Sequence, residues 1–381
     1  MELVQSANLK DKASGRVAQV DVLRGFALLG IGLENLFSMH TTNALFAEYS
    51  AKYDQGLNHF LLIGLMVLVR GKFYPIFSFV FGVSAALGLP YQGQRYFLRR
   101  LGGLFLLGVL QILFIWEGDV LVQYAFMGGL LLLLRNWNAS PLVGIGIFLF
   151  LFSFMGEVWN LPVHQASQRE LSVYGVGTFQ EMIVFRIQEY LQSIITWPAL
   201  LFYSRIFAFM LFGFAFVKSK SLHILTSPVR LGKVFMMHLA LAAGIALVVQ
   251  VVGWRGETGD NLWAKELSLG LYFYAAVVCL AVMPLILSQL PKLRRLLLPL
   301  QGLGKVTLTH YLTQNLLFSL LFYRYGLGLF YELQPWQCVL LYLVLIAGQL
   351  SFTAWLLKRY KQGPVEYLLR WMAGRKEKGV S

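Results

Sequence analysis

The run VDVLRGFALLGIGLENLFSM, residues 20–39, is apolar enough to cross a membrane, yet it carries Asp21, Arg24, Glu34 and Asn35. Ionisable groups in hydrocarbon are costly, and where they persist they mark paths, relays or sites. At about 1.5 Å of rise per residue, Arg24 and Asn35 lie about three turns apart on nearly one helix face, separated by about 16 Å in depth. Asp21 sits one turn before Arg24, within pairing distance. Glu34 is rotated about 100° from Asn35 and faces elsewhere. Further along the chain, Lys72, Gln111, Asp119 and Arg205 reach a similar outer depth. Trp116 and Tyr124 accompany them in IWEGDVLVQYA, a tight outer turn. A carboxylate such as Asp119 can take up a proton. Amides and ammonium groups can hold a developing anion by directed hydrogen bonds, and arginine suits a phosphate. These residues are expected to converge on one outer-half cavity of mixed charge. Their formal charges nearly balance, so a structural ion-pair network tying helices together is the alternative.

A second polar group occupies LGKVTLTHYLTQNLLFSLL: Lys305, Thr309, His310, Tyr311, Gln314 and Asn315. A lone histidine in such a place is commonly a hydrogen-bonded helix contact. A polar stripe this dense is better read as the lining of a water-filled path. Together the two groups describe a polar route, basic at its inner mouth and mixed in charge outside.

The elements that position these groups are membrane spans. Of the 381 residues, 57% are hydrophobic and 13% charged, against about 25% charged in a soluble domain; the mean hydropathy is +0.64. Thirty Phe, 18 Tyr and nine Trp suit lipid contact and interfacial belts. The net charge of +14 is expected to reflect cytoplasmic Lys and Arg that fix orientation rather than nucleic-acid binding. Cys279 and Cys338 fall in apolar runs and imply neither a disulfide nor a metal site. The first span carries charges and lacks a small-residue cleavage site, so it is expected to be retained.

Apolar runs predict ten spans, near 20–40, 72–89, 97–116, 119–135, 140–158, 197–217, 232–253, 267–290, 304–323 and 336–357. The stretch 57–70 is too short to make a further span before 72–89, and is expected to be re-entrant or interfacial, broken at Arg70, Gly71 and Lys72. With the N-terminus inside, the inner segments, 291–305 among them, hold 22 of the 32 Lys and Arg residues, and the outer segments hold six. Both termini are therefore expected in the cytoplasm. The expected organisation is a cytoplasmic segment 1–19, one transmembrane bundle over 20–357 with a sub-boundary near 218–232, and a basic cytoplasmic tail 358–381. A surface helix is expected near 178–193. Ser78, Gly82 and Ala86 form a small-residue stripe that suits helix packing. No internal repeat is visible.

VDVLRGFALLGIGLEN resembles the D-x-x-R-G opening of the transmembrane acyltransferase superfamily. GKFYPIFSFVFG, LGVLQILFIWEGDVLVQYA, GKVTLTHYLTQN and KQGPVEYLLR resemble, in order, the motifs of its YeiB-like branch, a domain of unknown function. The resemblance covers almost the whole chain. It implies a polytopic protein of a bacterial inner membrane that carries an acyl group from cytoplasmic acyl-CoA to an acceptor on the far side. Arg24 matches the arginine of the opening motif. Asn35 stands where the bacterial acyltransferases carry histidine. The related heparan enzyme has its histidine where this chain has Phe46, and His40 and His59 are off register. Gln111 and His310 depart from a His and an Asn of the YeiB-like pattern.

Under this reading Arg24 and Lys305 would hold the acyl-CoA phosphates, Asp119 would be the general base, and Asn35 and Lys72 would stabilise the oxyanion. The implied partners are the bilayer and a small-molecule or glycan acceptor; a homodimer stays open, and no metal is implied. The alternative is a transporter or exporter of a small polar metabolite that uses the same cavity. The orientation is directly testable. Reporters fused after Leu89, Ser219 or Gln362 should act as cytoplasmic, and those after Ser50, Gln165 or Gly259 as extracytoplasmic. An extracytoplasmic signal at Leu89 would mean that 57–70 crosses the membrane.

Overall fold

In hydrocarbon every backbone N–H and C=O must be satisfied within the segment, which favours helices. The computed structural model describes residues 17–155, 169–252 and 262–374, and among them the protein is all-α. Helix α1 (Ala18–Lys52) is followed by α2 (Gly56–Gly64), which runs into a π-helical turn, Leu65–Val69. Next come α3 (Phe73–Gln92), α4 (Gln94–Phe114), α5 (Leu121–Leu133) and α6 (Ala139–Phe152). Two shorter helices, α7 (Arg169–Val176) and α8 (Phe179–Ser193), precede α9 (Trp197–Lys218). A 3₁₀ turn, Ser221–Thr226, leads to α10 (Pro228–Val252) and α11 (Leu262–Gln289). The chain ends with α12 (Pro291–Lys305), α13 (Thr307–Phe322), α14 (Pro335–Arg359) and α15 (Pro364–Met372). Among the described residues, seven segments are long and apolar enough to cross a membrane, and α5 and α6 are shorter apolar helices. The protein is a polytopic membrane protein.

Helix α1 is the centre of the bundle and packs against α3, α11, α12, α13 and α14. Its Ala27, Leu28, Leu36 and Met39 are fully buried. It meets α12 almost backbone to backbone: a Cβ at Gly25 would overlap the Leu300 carbonyl, and one at Gly304 would overlap the Asp21 carbonyl. Small residues let membrane helices approach this closely. The same device joins α3 to α9, where Gly82 meets the Met210 carbonyl and Gly213 the Phe79 carbonyl. Ser78, Gly82 and Ala86 are thus a packing stripe. Near its far end α1 kinks at Thr42, which takes φ 53° and ψ 165° inside the helix. The Thr42 hydroxyl donates to Glu170 at the start of α7.

One expectation changes, that for segment 291–305, and two others gain detail. The stretch 57–70 is α2 plus the π turn, and it ends at a turn in which Gly71 takes φ +77°, a conformation open to glycine without a Cβ clash. Segment 291–305, read as an inner loop from its basic residues, is helix α12. Its leucines at 293, 297, 300 and 303 recur at helical spacing and seat it on α1. The tail after 358 is not wholly free, because α15 is built from it and docks on α4 and α13. The surface helix expected near 178–193 is α8, opened by a Thr178–Glu181 capping box.

The close crossings set a stability test. Gly25→Leu or Gly82→Leu should destabilise the bundle by about 1–3 kcal/mol or more, the scale of overpacking. Gly102→Leu, where an added Cβ meets nothing within 4 Å, should leave the melting temperature in detergent nearly unchanged.

Candidate functional site

The first turn of α1 and helix α15 lie at one end of the bundle, the near end. There Arg24 donates from one nitrogen to Asp21 (2.8 Å) and to the Gly304 carbonyl (3.1 Å), and from the other to Ser84 Oγ (2.7 Å). Lys305, half-buried, closes α12 beside this point. Glu366 of α15 caps α13: its carboxylate accepts from the N–H groups of Leu308 (2.7 Å) and Thr309 (3.1 Å) and from Thr309 Oγ1 (2.6 Å). A carboxylate there satisfies otherwise orphaned donors and the positive end of the helix dipole. The same helix carries Arg370. Arg100 of α4 shares the electrostatic field of Arg24, Arg370 and Glu366. Three arginines from three helices thus lie within electrostatic range of one another at the near end. Of these only Arg24 was read from the sequence. Glu366 had a signal, the Pro-Val-Glu opening of a helix.

Deeper in the bundle the stripe on α13 divides between two faces. One face bonds α14: His310 Nε2 and Thr353 Oγ1 lie 2.6 Å apart, and Gln314 donates to Gln349 Oε1 at 2.7 Å. His310 is therefore a helix–helix contact in this structure. On another face Tyr311 donates to Asp119 Oδ1 at 2.7 Å. Asp119 is 1% exposed and also accepts from Gln111 Nε2 (3.1 Å) and from the Leu121 N–H (2.8 Å). One turn beyond Tyr311, Asn315 accepts from Asn35 at 3.0 Å. Asn35, Gln111, Asp119 and Tyr311 thus form one buried polar cluster, drawn from α1, α4, α13 and the turn 115–120. The backbone N–H of Trp116 donates to the Gln111 carbonyl (2.8 Å) and closes α4.

The rest of the expected cavity is elsewhere. Lys72 donates to the Met66 carbonyl (2.7 Å) at an exposed position. Its charge, with that of Arg70, lies near Glu34, which accepts from the Gly71 N–H at 2.9 Å. Arg205 bonds Ser153 Oγ (3.2 Å), the Ser153 carbonyl (3.0 Å) and Tyr74 OH (3.2 Å), and stacks 4.2 Å over Phe154. Tyr124 shares a 2.6 Å hydrogen bond with Ser78 and reaches the Tyr74 carbonyl. Depth along a helix fixes how far in a residue sits, but not the direction in which it points. In this low-dielectric setting each charge has taken the nearest partner on its own face.

An apolar groove of ≈ 550 Å³ runs beside the cluster between α4 and α13, lined by Leu110, Gln111, Phe114, Leu312 and Leu316. At the turn, half-buried Glu117 accepts from Tyr174 of α7 at 2.5 Å. Burial pushes its carboxyl above the usual range, against the pull of that bond and of the Arg186 charge. Among the described residues no group of three or more His, Cys, Asp and Glu could hold a metal ion.

Residues 216–376 match the family described as "Protein of unknown function (DUF418)". The chain is 30% identical over 370 residues to an uncharacterized 39.9 kDa protein encoded in the amylase 3′ region of Bacillus acidopullulyticus, covering 94% of this chain and 93% of that one. It is 28% identical to the uncharacterized protein YxaH of Bacillus subtilis, with 93% of each chain covered. It is 26% identical to the uncharacterized protein YeiB of Escherichia coli, with 93% and 95% covered. No solved structure matches.

The cluster predicts a graded response. Tyr311→Phe removes one buried hydrogen bond and should cost about 1 kcal/mol, whereas Asp119→Ala strands three donors and should cost more than about 3 kcal/mol. Adding Lys72→Met to Asp119→Asn should restore none of the melting temperature, because the two side chains do not pair. Recovery would mean that an ion pair crosses the cluster.

Proposed function

The chain belongs to the family of proteins of unknown function DUF418, and from that premise we propose that it is a transmembrane acyltransferase of a bacterial inner membrane. The donor is cytoplasmic acyl-CoA, and the acceptor is a hydroxyl or amine presented from the far side. The observation that carries this reading is the pairing of a basic end, marked by Arg24, Arg100 and Arg370, with a buried Asp119–Tyr311–Gln111 centre farther along the bundle. Arg24, Arg100, Arg370 and Lys305 suit the CoA phosphates, for which guanidinium groups offer paired donors. Asp119 Oδ1 takes the proton of the acceptor O–H, directly or through the Tyr311 hydroxyl. The acceptor oxygen then attacks the thioester carbonyl carbon, the C–S bond breaks, and CoA leaves as the thiol after taking a proton. The Asn35 amide stabilises the oxyanion of the intermediate. Lys72, in the turn before α3 and bonded to the Met66 carbonyl, has no part in the step.

Transport of a small polar metabolite is the second reading. It is favoured by asparagine at position 35, where acyltransferases of the resembling superfamily carry histidine. Amide pairs such as Asn35–Asn315 and Gln314–Gln349 could re-form between two states.

Acetyl-CoA or a longer acyl-CoA should raise the melting temperature of the purified protein, because a ligand that binds the native state stabilises it. Arg24→Ala should shrink that shift. Asp119→Asn should keep the shift and lower acyl transfer by about 10²-fold or more. An absence of any shift at millimolar acyl-CoA would favour transport.

A further inference from the structure

Arg186 of α8 is 0% exposed, and none of its three guanidinium nitrogens has a hydrogen-bond partner. Its charge lies 5.1 Å from the ring centroid of Tyr323, 5.7 Å from that of Tyr174 and 5.8 Å from that of Tyr325. The hydroxyls of Tyr323, Tyr325 and Tyr190 are also buried without a partner. Tyr190 is one turn from Arg186 on α8, within the electrostatic field of Asp119. Glu117, a carboxylate in electrostatic range of Arg186, accepts from Tyr174. Buried polar groups are almost always hydrogen-bonded. A buried guanidinium with open donors, beside tyrosines whose hydroxyls are also open, is a donor set suited to an oxyanion.

The approach to this point is apolar. Tyr325 packs 5.1 Å from Phe179 in an edge-to-face contact, and both rings line the groove between α4 and α13. The groove's ≈ 550 Å³ lies within the range of small-molecule sites, about 300–1,000 Å³. Its lining residues Phe114, Leu110 and Leu316 are exposed apolar side chains of α4 and α13. A soluble anion would gain nothing from such a groove. An amphiphile would fill both parts at once.

We propose that the far end of the bundle holds a lipid-binding site, in which a chain lies in the α4–α13 groove and a phosphate headgroup is held by Arg186 and the hydroxyls of Tyr190, Tyr323 and Tyr325. The site goes beyond acyl transfer and does not depend on it. Its position beside Gln111 and Asp119 places a bound lipid head next to the buried cluster.

The test uses the full chain, purified in detergent and stripped of lipid, then reconstituted in nanodiscs of phosphatidylcholine with or without phosphatidylglycerol. The anionic lipid should raise the melting temperature by several degrees over phosphatidylcholine alone. Arg186→Met should abolish the difference. In lipid-free detergent the same variant should melt no lower than the wild type, because an unpaired buried cation has been removed. Leu316→Trp, which fills the groove, should weaken the response, and Tyr325→Phe should reduce it in a milder background if Arg186→Met does not fold. Equal melting in the two lipids, or a full response in Tyr325→Phe and Leu316→Trp, would overturn the site. A lower melting temperature of lipid-free Arg186→Met would make the guanidinium a structural cation–π strut. The full shift produced by inorganic phosphate alone would replace the lipid with a soluble anion.

Discussion

The architecture hangs on the crossing of α1 and α12 at Gly25 and Gly304. With no side chain between the two backbones, the Gly304 carbonyl comes within reach of Arg24, and Arg24 can bond α3 through Ser84 in the same geometry. A larger residue at either glycine would push the helices apart and leave a guanidinium in the bilayer without those acceptors. Helix α13 leaves α12 at Val306, so the crossing also sets where Thr309, Tyr311 and Asn315 stand relative to α1. The position of the buried cluster is inherited from a contact at the near end.

The cluster shows how polar groups behave when water is scarce. Asp119 is held by a phenol, an amide and a backbone N–H, not by a cation. The cations nearby in sequence depth, Lys72 and Arg205, are satisfied by carbonyls, hydroxyls and aromatic faces. Separating charges among neutral donors avoids the desolvation cost of a fully buried ion pair. It also leaves the Asp119 carboxylate within reach of a proton donor, Tyr311.

Much of this was legible from residue types alone. Apolar run lengths place the helices, and the break at Arg70–Lys72 follows from Gly71 and the charges beside it. Asn35, Gln111 and Asp119 were expected at one depth and lie in one buried polar region, because depth along each helix is nearly fixed by residue count. Azimuth is not, which is why Lys72 and Arg205, expected beside them, bond other partners. Helix α12 was hidden because its charges mask a leucine stripe that counts only once α1 is there to receive it. Arg186 read as one more outer cation, since no local pattern reveals that tyrosines of two other segments, 174 and 323–325, will close around it.

Glu366 gives the chain an order of assembly. The first N–H groups of α13 are completed by a carboxylate 58 residues further on, so α13 enters the membrane before its own end can be capped. At about 5–20 residues per second of synthesis, that interval lasts about 3–12 s. During it the polar start of α13 is a temporary defect in the bilayer, open to water, lipid headgroups or the insertion machinery. Docking of α15 closes the defect, and the start of α13 is completed only when this helix arrives.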